Sequence, residues 1–160
     1  MKEIFKIEGK ITKETAEKFK LFLKKFTKKG QVIRIHLDSW GGNSGAGKDI
    51  EGYIYFMKKY HKSRFIMKAP KAASAAFRIF IRGDERIIDK NSIIQPHLPV
   101  PNKPGVSEEK IAREQKSDLD FITGTIPLLS KEDILMYNDM PLPLQFMKEK
   151  GVITKVVSSI

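Results

Sequence analysis

Three short segments hold residue types that could do chemistry together. Ser74 lies in Lys71-Ala72-Ala73-Ser74-Ala75-Ala76, where small neighbours leave its hydroxyl uncrowded. A serine hydroxyl becomes a nucleophile when a base takes its proton, and backbone N–H groups nearby stabilise the oxyanion that forms. A serine at a helix start also serves as a cap or as a small residue for close packing. Gly41-Gly42, in the turn Asp38-Ser39-Trp40-Gly41-Gly42-Asn43, lets the backbone approach a ligand and present N–H groups to it. The same pair suits a plain strand-to-helix turn. His97 is one of three histidines, with His36 and His61, and it alone sits between prolines after an expected strand. From there a general base can reach across a cleft, although a surface-loop imidazole would look the same. A serine–histidine pair needs a third group to fix the imidazole tautomer. Asp118, Asp120, Asp133 and Asp139 lie downstream and are the candidates. The run from Gly42 to Asp49 has no Ser or Thr after Lys48, so it is not a phosphate loop.

The elements that must position these residues follow from the apolar spacing. Residues 3–8 alternate as a strand. Thr12 then caps a helix in which Ala16, Phe19, Leu23 and Phe26 share one face, with Gly30 placed to end it. A strand is expected at 31–37 and a helix at 46–61 with Ile50, Tyr53, Ile54 and Met57 inward. Residues 64–67 read as a strand, and 71–82 as a central helix carrying Ser74 in its first turn, stopped by Gly83. Short strands at 85–89 and 92–95 precede Pro96, Pro99, Pro101 and Pro104, which hold the chain extended. Helices are expected at 107–123, at 131–138 with Ser130 as cap, and at 142–150 before Gly151, with a last strand in VITKVV. Strands alternating with helices give an α/β fold with right-handed crossovers and a mostly parallel sheet. In such sheets chemistry sits beyond the carboxyl ends of strands, where all three segments fall.

The chain has 160 residues, which suits one domain over 1–160. It has no cysteine, which excludes disulfides, thiolate metal sites and a cysteine nucleophile. The N-terminal residues lack the apolar run of a signal peptide, and no stretch reaches the roughly 20 apolar residues that span a bilayer, so a cytoplasmic protein is expected. The net charge is +11. The lysines of the first 30 residues spread around one expected helix, without the interleaved aromatics of a single-strand binder. They read as solvated faces and not as a nucleic-acid surface.

Taken in order, these segments resemble the ClpP family of self-compartmentalising serine peptidases, within the ClpP/crotonase fold of repeated β-β-α spiral units. Ile35-His36-Leu37-Asp38-Ser39-Trp40-Gly41-Gly42 is similar to the family's strand ending in Ser-Pro-Gly-Gly. Lys71 to Ala76 is similar to its Gln-Ala-Ala-Ser-Met-Gly motif, and Asn91 to Pro99 lies where the family has Asn-Ser followed by Met-Ile-His-Gln-Pro. Counted back from Gly151-Val152-Ile153, Asp139 falls on the family's triad aspartate. The resemblance implies Ser74 as nucleophile, His97 as general base, Asp139 as its orienter, and an oxyanion hole from backbone N–H groups of Gly41 or Gly42 and of Ala75. It implies an acyl-enzyme route to peptide hydrolysis with no metal or organic cofactor, polypeptide substrates, a homo-oligomeric ring of heptamer type, and an AAA+ unfoldase as partner. Trp40 replaces the family's proline, Ala75-Ala76 replaces Met-Gly, Pro96 precedes the histidine, and the interval from His97 to Asp139 is short. The first strand starts almost at Met1, so the axial segment that meets the unfoldase is expected to be missing. Such departures suit a phage or prophage branch that trims capsid proteins. Two other readings fit the resemblance: a catalytically silent scaffold or oligomer partner, and a crotonase-type protein that processes acyl-CoA.

Overall fold

The computed structural model describes residues 3–99 and 103–160. Met1 and Pro101, on which two of the expectations above rest, lie outside them. Apolar residues that alternate in the strands and recur every three or four positions in the helices build the first half: β1 (Ile4–Glu8), α1 (Lys13–Leu23), β2 (Val32–Ser39), α2 (Ser44–His61) and β3 (Arg64–Ala73). In β2, Ile33, Ile35 and Leu37 face inward, and in β3 Phe65, Met67 and Ala69 do the same, so period-2 alternation sets which face is core. A short α3 (Ala75–Phe80) follows, then β4 (Glu85–Asp89), β5 (Ile93–Gln95), α4 (Glu108–Thr125), α5 (Lys131–Met136), α6 (Leu144–Glu149) and β6 (Lys155–Val157). The strand order is β1-β2-β3-β4-β6 with β5 beside β3, and each of these pairings is parallel. The expected α/β fold with a mostly parallel sheet is therefore present. Among the described residues, no helix is long and apolar enough to cross a membrane.

Two boundaries differ from the sequence reading. The helix expected over 71–82 begins only at Ala75, because Lys71–Ala73 continue β3. These residues pair with Asp38 and Ser39 of β2 on one side and with β5 on the other. Pairing on both sides outweighs the helix preference of alanine. Ser74 consequently stands at the strand-to-helix junction and not in the first turn of a helix. The first helix ends at Leu23 and not at Gly30. Lys24 and Lys25 donate to carbonyls three residues back, which tightens the turn. Phe22 then packs between Phe5 and Phe26, with ring centroids 5.2 Å away on each side.

β3 changes partner along its length. Residues Ile66–Lys68 pair with β4, and Lys71–Ala73 with β5. Between them the register slips, so Leu37 of β2 stands opposite both Ala69 and Pro70. A bulge tolerates the proline, which has no N–H to give to a ladder. The slip aims the end of β3, and so Ser74, toward the segment that follows β5.

The C-terminal layer is fastened by Arg86 of β4. Its guanidinium donates to the carbonyls of Val152 (2.7 Å), Gly83 (2.6 Å) and Gly151 (2.9 Å). Burial lowers its pKa from the ordinary guanidinium value, and Asp84 opposes that shift. Arg86→Met leaves three carbonyls without donors and is expected to cost about 2–4 kcal/mol. The midpoint of urea unfolding, compared at unchanged slope, checks this.

Candidate functional site

Asp139 and His97 are brought together by backbone pairing between two loops. The Asp139 N–H donates to the Pro96 carbonyl at 3.0 Å, and the Leu142 N–H to the Ile94 carbonyl at 2.8 Å. The Asn138 side-chain oxygen accepts from the Leu98 N–H at 2.8 Å. Residues 138–142 thus run alongside 94–98. Asp139, at φ +60°, turns its carboxylate onto His97, whose Nδ1 hydrogen-bonds Asp139 Oδ1. A carboxylate on Nδ1 favours the tautomer with the proton there and leaves Nε2 as the basic nitrogen.

Ser74 arrives from the other side of β5. Its N–H donates to the Gln95 carbonyl at 3.2 Å, two residues before His97. Its backbone is at φ +56°, ψ −121°, a conformation that a non-glycine residue adopts only when its surroundings enforce it. The Phe77 N–H, donating to the Ser74 carbonyl at 3.0 Å, helps to enforce it. The Ser74 side chain makes no capping bond, so its hydroxyl is not spent on the helix. Ser74 and His97 line the same cavity, of about 520 Å³.

Gly41 and Gly42 lie against this junction. A Cβ on Gly41 would stand 2.8 Å from the Ser74 Cβ and 3.2 Å from the Ala75 nitrogen, with φ at +107°. Only glycine lets the turn come so close. The Gly41 N–H is already taken, donating to Ser39 Oγ at 3.0 Å. Among the described residues, the N–H groups of Gly42 and Ala75 meet no acceptor. The arrangement offers a hydroxyl, a carboxylate-oriented imidazole at one cavity and two unspent backbone donors beside the hydroxyl, the parts needed for acyl transfer.

The other candidate acids are engaged elsewhere. Asp118 pairs with Arg78 Nη1 at 2.9 Å, Asp120 with Lys116 and Lys131, and Asp133 caps α5 through Ser130. His36 lies within β2, and His61 packs on Phe56 at the end of α2. Asn43, which reads in the sequence only as part of the turn, caps α2 by accepting from the Ala46 N–H at 2.8 Å. Sequence reasoning also missed Ser39. Its buried hydroxyl donates to the Gly9 carbonyl at 2.6 Å while it holds Gly41, so it sets the glycine turn. Its signals in the sequence are a small polar residue two positions before Gly41 and its match to the serine of the family's Ser-Pro-Gly-Gly.

The cavity continues past Ser74 between α3 and α4. Phe77, Ile111, Phe121 and Ile122 give it apolar walls. Arg78 lies over the Phe121 ring, 3.8 Å from its centroid, while paired with Asp118. Burial raises the Asp118 pKa, against the opposing pull of Arg78 and Lys48. The Arg78 Nε is buried without an acceptor, so Asp118 does not satisfy the whole guanidinium.

No protein-family model matches the chain, and no curated protein sequence matches it significantly. Solved structures do. ClpP1 from Listeria monocytogenes superposes with a TM-score of 0.77 at 23% identity, covering 98% of this chain and 92% of that one. A single-site mutant of ClpP1 from the same organism gives 0.79 at 20% identity, with 98% and 91% covered. With nearly the whole of both chains superposed and the strand order described above, this chain has the ClpP-family fold.

Proposed function

We propose that the protein is a serine peptidase of ClpP type. A peptide carbonyl enters beside Ser74. His97 takes the hydroxyl proton through Nε2, and the Ser74 oxygen adds to the carbonyl carbon. The Asp139 carboxylate stabilises the imidazolium. The N–H groups of Gly42 and Ala75 donate to the oxyanion, with Gly41 providing the close approach and not the donor. Collapse expels the amine, which takes its proton from His97 and leaves an acyl ester on Ser74. Water, deprotonated by the same imidazole, then releases the acid. The contact of the Asp139 carboxylate with His97 Nδ1 carries this reading, because it orients an imidazole at the cavity that Ser74 also lines.

The experiment is labelling with a fluorophosphonate, which phosphonylates activated serines. A mass increase on Ser74 in the native chain and none in Ser74→Ala supports the reading. An unlabelled, fully assembled protein overturns it and leaves the scaffold role. We further propose that the chain assembles as a homo-oligomeric ring. Exposed aromatic residues of α2, namely Tyr55, Phe56 and Tyr60, supply apolar surface for neighbours, and light scattering measures the assembly.

A further inference from the structure

We infer that the cavity beside Ser74 selects substrates by charge and takes an acidic side chain, glutamate above all, on the residue whose carbonyl is attacked. The inference rests on the peptidase reading above and names the substrate class of that site. Ser74 and His97 both line the cavity, so a side chain that fills it is attached close to the reacting carbonyl. Four cations line it, Lys48, Arg78, Lys103 and Lys110, against two carboxylates, Glu114 and Asp118. Asp118 is occupied by Arg78. Lys48, Lys103 and Lys110 form no ion pair among the described residues, and all three stand exposed at the rim.

The cations have two roles. The exposed lysines draw an anion toward the mouth, a steering effect that salt screens. Arg78, mostly buried and stacked on Phe121, has its charge offset by Asp118, but its Nε N–H meets no acceptor and is an unspent donor for a carboxylate. It lies one helical turn beyond Ser74, so a carboxylate on two methylenes reaches toward it better than one on a single methylene. Those methylenes lie against Phe77 and Ile111, which an aspartate would not fill. A lysine or arginine side chain meets like charge and is rejected. An uncharged aliphatic side chain gains the apolar walls but strips water from the cations without replacing it.

The test is a panel of coumarin-amide peptides identical except for the last residue, which is Glu, Gln, Leu or Lys. Glutamate is expected to give a kcat/KM about tenfold above glutamine, its uncharged isostere, with the advantage shrinking as salt rises. Lys48→Gln, an exposed change that folding tolerates, is expected to lower the Glu-to-Gln ratio severalfold, mainly through KM. A merely structural role would not move that ratio. Equal rates for Glu and Gln, or preference for Leu, overturn the charge selection while leaving the peptidase reading intact. Charge selection is overturned equally if the fluorophosphonate labels Ser74 but no panel peptide is cleaved. No labelling and no cleavage overturn both.

Discussion

Asp139→Asn is expected to lower peptide turnover about 10⁴-fold. Asparagine carries no charge to stabilise the imidazolium. Its amide can also present a donor to Nδ1, which holds the ring in the tautomer whose Nε2 already bears a proton. Ser74 then has no base. The side chain at 139 is 52% exposed, so the loss is chemical and the melting temperature stays within a few degrees. The backbone bond from the 139 N–H to the Pro96 carbonyl is also untouched by the change. Rates of hydrolysis and of fluorophosphonate labelling are to be measured together. A variant within tenfold of the native rate removes Asp139 from the mechanism.

Gly42→Ala is expected to cost about 3 kcal/mol or more in stability, and so to lower the melting temperature by about 10 °C. The new Cβ would stand 2.3 Å from the Ile11 carbonyl oxygen and 2.7 Å from its nitrogen, both backbone atoms with little freedom to move. The residue sits at φ +153°, where an L side chain adds strain. Ile11 is wholly buried and bridges to Gly42, so relief would have to come from the core. Gly52→Ala is the matched control. It lies inside α2 with open space around it, and alanine there is expected to stabilise by up to about 1 kcal/mol. Thermal unfolding of the two variants side by side checks both signs.

Where one face of an element is buried, the residues announce it. The alternation through β2 and the spacing of Ile50, Ile54 and Met57 on α2 are of this kind. Caps are equally local. Thr12 and Ser130 each bond a backbone N–H three residues on, and Gly151 turns at φ +71° after α6. The extension of β3 through Ala73 was not legible, because three residues of high helix preference are held as strand by partners 33 and 22 positions away. The serine, the histidine and the glycine pair stood out by type and place. Among four downstream aspartates, type and place alone leave the choice open, and only the resemblance, counted back from Gly151-Val152-Ile153, singles out Asp139. The contacts that set Asp139 beside His97 and tie Asp118 to Arg78, namely Leu98 against Asn138 and the Arg78 pair, have no local signature. The cation-lined cavity was hidden for the same reason, since its charges come from α2, α3, α4 and Lys103 ahead of α4 and meet only in the folded chain.

The short stretch from Ile94 to Leu98 is clasped on both flanks, by the Ser74 amide on one side and by residues 138–142 on the other. Ser74, His97 and Asp139 are therefore placed by a single rail. The intervening residues 103–137 place none of these three side chains, although Ile122, Ile126, Leu129 and Ile134 join the core and Gln115 donates to the Pro99 carbonyl. Exposed positions of that segment can therefore change the walls of the cavity while Ser74, His97 and Asp139 keep their alignment.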